Sequence, residues 1–260
     1  MMNKSKYIDT HCHLYETDFI NDSDNVIKKI ENTGVEYVLL ANTNNESIIP
    51  LLNFEKKYPN ICKSMMGIHP INVSEDYKSQ IKIIEKQLSE HNFIGIGEIG
   101  LDYYESSKDH ELQKRFLEDE LLIARENHLP ISMHIREAFD DAINLLQKAQ
   151  NGNLFGVIHC FSGDAEQAKK IIDLGFSLGI GGIVTFKNSK LPDILKHIPL
   201  AKIVLETDSP CLAPVPYRGT RNDSSFLPII ADKIADIYKI SSEEVSEITT
   251  TNAKNIFKLK

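Results

Sequence analysis

Eight short apolar runs, alternating with stretches of helical periodicity, constrain this 260-residue chain more than anything else in it. The runs fall near 6–10, 35–41, 61–68, 93–98, 130–134, 154–159, 175–180 and 202–206. Apolar runs this short, bounded by turn residues, read as buried parallel strands. Between them the pattern predicts helices near 23–33, 45–57, 77–91, 109–127, 137–149, 164–173 and 190–197, then a helical tail over 222–258. In the fourth of these, Leu112, Phe116, Leu117, Leu121 and Ala124 mark one face at helical spacing. Ser241 and Glu244 predict a capping box opening the final helix. Eightfold alternation predicts an α/β fold, a (β/α)8 barrel spanning 1–260 as one domain. A doubly wound open sheet is the alternative. The proline-rich stretch 210–216 follows Asp208 directly and reads as a rigid loop at the site, not as a linker.

What ends these runs matters as much as the runs. Five of the nine histidines finish them: His11 and His13 after Tyr7-Ile8, His69 after Met65-Met66-Gly67-Ile68, His134 after Ile131-Ser132-Met133, and His159 after Gly156-Val157-Ile158. The other four, His91, His110, His128 and His197, fall in or beside polar helical stretches. Two carboxylates, Glu98 and Asp208, end runs in the same way. A barrel builds its active site at strand C-termini. A lone histidine usually fills a core or a loop, and an aspartate before Ser-Pro usually starts a turn. The joint placement is what points to a metal-dependent hydrolase.

Each residue type suits that chemistry. His11 and His13, two apart on a strand, face one side and can aim at one ion while Cys12 points away. Asp9, in phase with them, is expected to accept a hydrogen bond from a histidine ring. Glu98, after Phe93-Ile94-Gly95-Ile96-Gly97, should be buried, and a buried carboxylate is costly unless paired or metal-bound. It is a candidate bridge between two cations. Asp208 is a candidate ligand and proton acceptor, with Glu206 supporting it from behind. Arg136, Arg218 and Arg221 are candidates for phosphate, which the guanidinium fork matches at two points. His69 is expected to hydrogen-bond substrate or to line the pocket wall. Imidazole favours zinc, manganese or iron, and a bridging carboxylate also tolerates magnesium.

Composition sets limits. A net charge of −8 argues against a broad basic surface for nucleic acid, though not against a local phosphate site whose positive charge comes from metal ions. No apolar stretch approaches the roughly 20 residues that span a bilayer, and no apolar core follows the basic Met1–Lys6 segment as in a signal peptide. The four cysteines, Cys12, Cys62, Cys160 and Cys211, are scattered and read as free thiols in a reducing compartment. The expectation is a cytoplasmic monomer with no membrane partner.

The strings Asp9-Thr10-His11-Cys12-His13-Leu14, Gly67-Ile68-His69-Pro70, Gly97-Glu98-Ile99-Gly100-Leu101-Asp102-Tyr103-Tyr104, His159-Cys160-Phe161-Ser162-Gly163, Glu206-Thr207-Asp208-Ser209-Pro210, Pro216-Tyr217-Arg218-Gly219 and Thr251-Asn252-Ala253 resemble the TatD-like metal-dependent hydrolases, usually described as deoxyribonucleases. The likeness runs nearly the whole chain. It implies a TIM barrel with two divalent metal ions, zinc, manganese or magnesium. By position, His11, His13 and Asp208 would bind one, His134 and His159 the other, and Glu98 would bridge them. His134-Ile135-Arg136-Glu137 and Ser209 depart from the usual pattern without removing a ligand. The expected activity is hydrolysis of DNA phosphodiester bonds near a strand end, on single strands or duplex termini, with Asp208 and Glu98 catalytic and His69, Arg136, Arg218 and Arg221 holding substrate. The runner-up is hydrolysis of an ester or amide, such as deacylation of aminoacyl-tRNA, and a third reading is a non-catalytic nucleic-acid-binding barrel.

Overall fold

A computed structural model of the chain describes residues 5–105 and 110–260. Eight parallel strands form a barrel: β1 (Tyr7–Cys12), β2 (Val35–Ala41), β3 (Cys62–Met65), β4 (Ile96–Asp102), β5 (Ile131–Arg136), β6 (Gly156–Ile158), β7 (Ser177–Ile180) and β8 (Ile203–Leu205). Pairing is continuous from β1 to β3 and from β4 to β8. Loop backbone closes the two seams. Ile94 N–H donates to Ser64 O (3.0 Å) and Met66 N–H to Gly95 O (3.1 Å) between β3 and β4. Asp208 N–H donates to His11 O (3.0 Å) and His13 N–H to Ser209 O (2.7 Å) between β8 and β1.

The helices are α1 (Ser23–Asn32), α2 (Ile48–Lys57), α3 (Tyr77–Glu90), α4 (His110–Glu126), α5 (Phe139–Ala149), α6 (Ala165–Asp173), α7 (Leu191–Leu195), α8 (Leu227–Tyr238) and α9 (Ser242–Phe257). Their apolar stripes pack on the outside of the strands and join them in one large core. The predicted tail is thus two helices, broken where Lys239 takes a left-handed conformation at φ 59°. At the start of α9 only half of the expected capping box is present, the Ser241 hydroxyl accepting from Glu244 N–H. The complete box opens α6 instead, between Asp164 and Gln167. Inside the ring, Ile8, Leu39, Ala41, Met65, Val157 and Val204 pack with Ala253 and Phe257 of α9. A packed plug of this kind is what a barrel interior needs. It leaves the other end of the ring for polar side chains.

Two strands differ from expectation in ways that shape the site. β4 begins at Ile96 and runs on to Asp102, so Glu98 lies within a strand. Gly100, inside this longer β4, has φ 141°, and a Cβ there would sit 1.9 Å from His134 O. Glycine is what lets β4 approach β5 this closely. In β1 the register slips between Asp9 and Cys12, so strict alternation fails there.

Candidate metal centre

The C-terminal ends of β1, β4, β5, β6 and β8 and the loop after β3 bring His11, His13, His69, Glu98, His134, His159 and Asp208 together around one carboxylate. Glu98 is 3% exposed, and its two oxygens face different imidazoles. Oε2 lies 3.4 Å from His11 Nε2 and 3.4 Å from His13 Nε2. Oε1 lies 3.0 Å from His159 Nε2, 3.2 Å from His134 Nδ1 and 3.4 Å from His69 Nε2. Asp208 completes the first side, its Oδ1 3.5 Å from His13 Nε2 and 4.0 Å from His11 Nε2. Its backbone is left-handed, at φ 57°, as is that of Cys160 at 47°. Non-glycine residues rarely adopt this conformation and cluster at functional sites when they do.

The far nitrogens of His11, His13 and His134 have close partners as well, whereas that of His159 makes no hydrogen bond among the described residues and only faces an acid. His13 Nδ1–H donates to Ala41 O at 3.0 Å. His134 Nε2 is 3.0 Å from Asp102 Oδ2. His11 Nδ1 is 2.7 Å from Ser132 Oγ, and His159 Nδ1 is 3.5 Å from Glu206 Oε1. Partners on the outer nitrogen fix ring and tautomer. For His13 and His134 they leave the other nitrogen turned towards Glu98, where neighbouring acids favour a proton: against burial, the Asp208 hydrogen bond and the Glu98 charge raise His13 to about 9, and the Asp102 and Glu98 hydrogen bonds raise His134. His69 is oriented the other way. Ile71 N–H donates to its Nδ1 at 3.2 Å, which puts the proton on Nε2, facing Glu98. His69 therefore offers the centre an N–H donor, and the other rings offer lone pairs once a cation displaces their protons.

These donors fit divalent cations. His11 Nε2 and His13 Nε2 are 3.2 Å apart, and His134 Nδ1 and His159 Nε2 are 3.4 Å apart. Two nitrogens bound at about 2.1 Å to one tetrahedral zinc stand roughly 3.4 Å from each other. Imidazole nitrogens and buried carboxylates converging at such distances need positive charge between them, which ring protons, or a divalent cation that displaces those protons, can supply. Among the described residues, the donor atoms within each of three groups lie within 4.8 Å of one another: His11–His13–Asp208, His11–Glu98–His159 and His69–Asp102–His134. Burial alone would raise the Glu98 carboxyl, but the imidazoles of His69, His11 and His159 outweigh it and hold it well below the usual range. Asp208 is likewise held low against burial, by its hydrogen bond to His13 and by the charges of His159 and His11. Both stay ionised at neutral pH. Burial pushes His69 down to about 4, so that ring is neutral.

Pattern reading assigns no role to two supporting residues, Asp102 and Ser132. Asp102 also accepts from Tyr104 N–H (2.9 Å) and Glu105 N–H (2.7 Å), so it holds the β4–α4 loop and the His134 ring together. A signal existed: Asp102 is in phase with Glu98 on β4. Glu206, expected behind Asp208, stands behind His159, in a cradle shaped by Gly179, where a Cβ would lie 2.1 Å from Glu206 Oε2. Asp9 is a correction. It touches no histidine ring, because the β1 irregularity takes it out of phase with His11 and His13. It accepts from Thr207 N–H (2.9 Å) and Thr207 Oγ1–H (2.5 Å), pinning β1 to the chain after β8.

The three arginines part company. Arg136 donates to Glu105 Oε1 at 2.7 Å and lies 4.0 Å over the Tyr104 ring. Arg218 lies 4.5 Å over the Phe186 ring. Arg221 is committed elsewhere: its guanidinium takes Asp22 in two contacts (2.6 and 3.0 Å), donates to Asp18 O and covers Phe19. It ties the β8–α8 loop to the β1–α1 loop. Nothing in the local sequence around Arg221 reveals an acid nearly 200 residues away.

A family model described as TatD related DNase matches residues 8–258. A Bacillus subtilis protein named as an uncharacterized metal-dependent hydrolase is 32% identical over 252 residues, covering 96% of this chain and 98% of its own. An Erwinia tasmaniensis protein named as a 3'-5' ssDNA/RNA exonuclease is 30% identical over 257 residues, covering 96% and 99%. In three dimensions the chain is similar to a TatD homologue from Escherichia coli K12, with a TM-score of 0.90 at 25% identity, covering 99% and 100%. No helix among the described residues is long and apolar enough to cross a membrane.

Proposed function

The chain belongs to the TatD-related DNase family, and from that premise and the shape of its donor cluster we propose that it hydrolyses phosphodiester bonds at the ends of single-stranded DNA, with RNA as a second substrate. The observation that carries this is Glu98, a buried carboxylate whose two oxygens serve two separate sets of imidazoles. His11, His13 and Asp208 would hold one divalent ion, His134 and His159 a second, and Glu98 both. Ions so held supply Lewis acidity, polarising the ester and lowering the pKa of water.

The side chains divide the remaining work. Asp208, ionised and with its side chain about one-fifth exposed, takes the proton from the attacking water and returns it to the departing oxygen. His69 donates Nε2–H to a phosphoryl oxygen, a role suited to its neutral ring and fixed tautomer. Arg136 and Arg218, each stacked on a rim aromatic, hold flanking phosphates. The small number of such cations agrees with the net charge of −8 and with a substrate held at a few phosphates.

The test is a product ladder. The purified chain, stripped with chelator and reloaded with manganese, zinc or magnesium, is given end-labelled single-stranded DNA, duplex DNA, single-stranded RNA and an aminoacyl ester. Stepwise shortening of single strands, lost with chelator, is the expected result. Turnover of the aminoacyl ester with no cleavage of any strand would overturn the nuclease reading.

A further inference from the structure

A cleft of about 580 Å³ opens between the loops that follow β5, β6 and β7, two of which continue from the strand ends that carry His134 and His159. Its position is dictated by the strands that carry the donors. Arg136, on its wall, is two residues beyond His134 on the same face of β5, and Ser162 is three residues beyond His159. The cleft is lined by apolar Phe139, Ile183 and Ile194 and by polar residues that include Arg136, Asn188 and Lys190. Glu137 and Asp164 also face it, and the Asp164 carboxylate is spent on capping α6 at Gln167 N–H.

The Phe139 ring is held in place. Phe139 stands edge-on to Phe161 with ring centroids 5.6 Å apart. It is half-buried, and Gly163 lies so close that a Cβ there would come within 2.9 Å of its ring. A fixed, partly exposed aromatic next to cations is the arrangement that stacks a base and holds its phosphate. Pockets of this size take ligands of nucleotide scale. Resting on the nuclease reading, we propose that this cleft is a nucleoside subsite: it receives the base and sugar on one side of the scissile bond, the base against Phe139 and the adjoining phosphate towards Arg136 and Lys190. It would give the centre a preference for unstacked ends, because only a base free of its partner strand can enter.

Two variants test it away from the donor cluster. Asn188→Trp covers the mouth, and Phe139→Leu removes the aromatic ring from the lining at little change in volume. Binding of thymidine 5'-monophosphate is measured by calorimetry on the chelated protein. Hydrolysis of thymidine 5'-(p-nitrophenyl phosphate) is compared with that of bis(p-nitrophenyl) phosphate, which carries no nucleoside. Each variant should weaken nucleotide binding and lower kcat/KM on the thymidine ester by about tenfold or more, the loss of one base–aromatic stack. Activity on the nucleoside-free ester should change less than about twofold, since the donor cluster is untouched. Equal loss on both esters, or nucleotide binding unchanged in both variants, would overturn the subsite. If the wild-type chain hydrolyses neither ester, the nuclease reading falls, and the nucleotide titration still decides the cleft because it needs no turnover.

Discussion

Asp102→Asn is the most informative single change. Asp102 is 1% exposed and its Oδ2 accepts from His134 Nε2 at 3.0 Å. Burial works against the ionised carboxyl, yet the His134 hydrogen bond and the Glu105 and Tyr104 amides hold it down to about 2. Asparagine keeps one oxygen for those two amides, so the loop after β4 should stay in place. On the other side, its NH2 group would meet an N–H. The ring can relieve that clash only by moving its proton to Nδ1, the nitrogen that faces Glu98. A hydrogen bond to a charged partner contributes about 1.5–3 kcal/mol, and 1.4 kcal/mol is a factor of ten. Metal affinity on the His134–His159 side should therefore fall about 10–100-fold, the range seen when such supporting partners are removed. A competition titration against a chromophoric chelator reads this directly. Two binding steps are expected in the wild type, with one weakened in the variant and the other unchanged. Two unchanged steps would show that Asp102 does not control the ring. Equal weakening of both, together with a lowered melting temperature, would show a general loss of fold instead.

Other outcomes follow from the same geometry. Glu98→Gln should cost about two orders of magnitude or more in turnover while the chain remains folded, as should Asp208→Asn, and full turnover by either would remove that residue from the proposed mechanism. Gly179→Ala would place a Cβ 2.1 Å from Glu206 Oε2, so urea denaturation should show a loss of about 1–3 kcal/mol, and unchanged stability would contradict the close packing behind His159. Glu120 is buried on α4, with Oε1 accepting from Ile68 N–H at 3.0 Å and Oε2 without a partner. Burial, with Asp119 adding to it against the opposing Ile68 amide, raises its carboxyl well above the usual value. A raised folded pKa means the folded state holds a proton that the unfolded chain releases. That stabilisation is complete below the unfolded pKa and fades as pH rises through the folded one. Melting temperatures at pH 5 and pH 8 should show wild type losing ground to Glu120→Gln as pH rises, and parallel behaviour would refute the buried, protonated acid.

Much of this was legible in the sequence, for identifiable reasons. Strand and helix positions follow from periodicity, which is local, and the elements fall close to the predicted spans. The donors were legible because each is a polar residue at the end of an apolar run, a conflict that a core alone does not tolerate. What stayed hidden is what depends on distant chain. The Arg221–Asp22 pair joins residues that only barrel closure brings together. Asp9 was assigned by alternation, and a register irregularity in β1 defeats alternation. β4 runs on to Asp102, past the expected end near residue 98, and the close approach of Gly100 to His134 becomes visible only when β5 is beside it. The left-handed backbone at Asp208 has no glycine to announce it.

The seam between β8 and β1 also sets an order of events. His134, His159 and Glu98 all come from the middle of the chain, on three neighbouring strands, and are complete once residue 159 has been synthesised. The opposite side needs Asp208 beside His11, two positions at nearly opposite ends of the polypeptide, and those meet only when the ring shuts. Chain order thus supplies one half of the cluster before the other, and Asp208, the carboxylate proposed to accept the proton, arrives last. On that proposed mechanism hydrolysis needs the whole circumference, so a truncated product should carry donors without being able to cut.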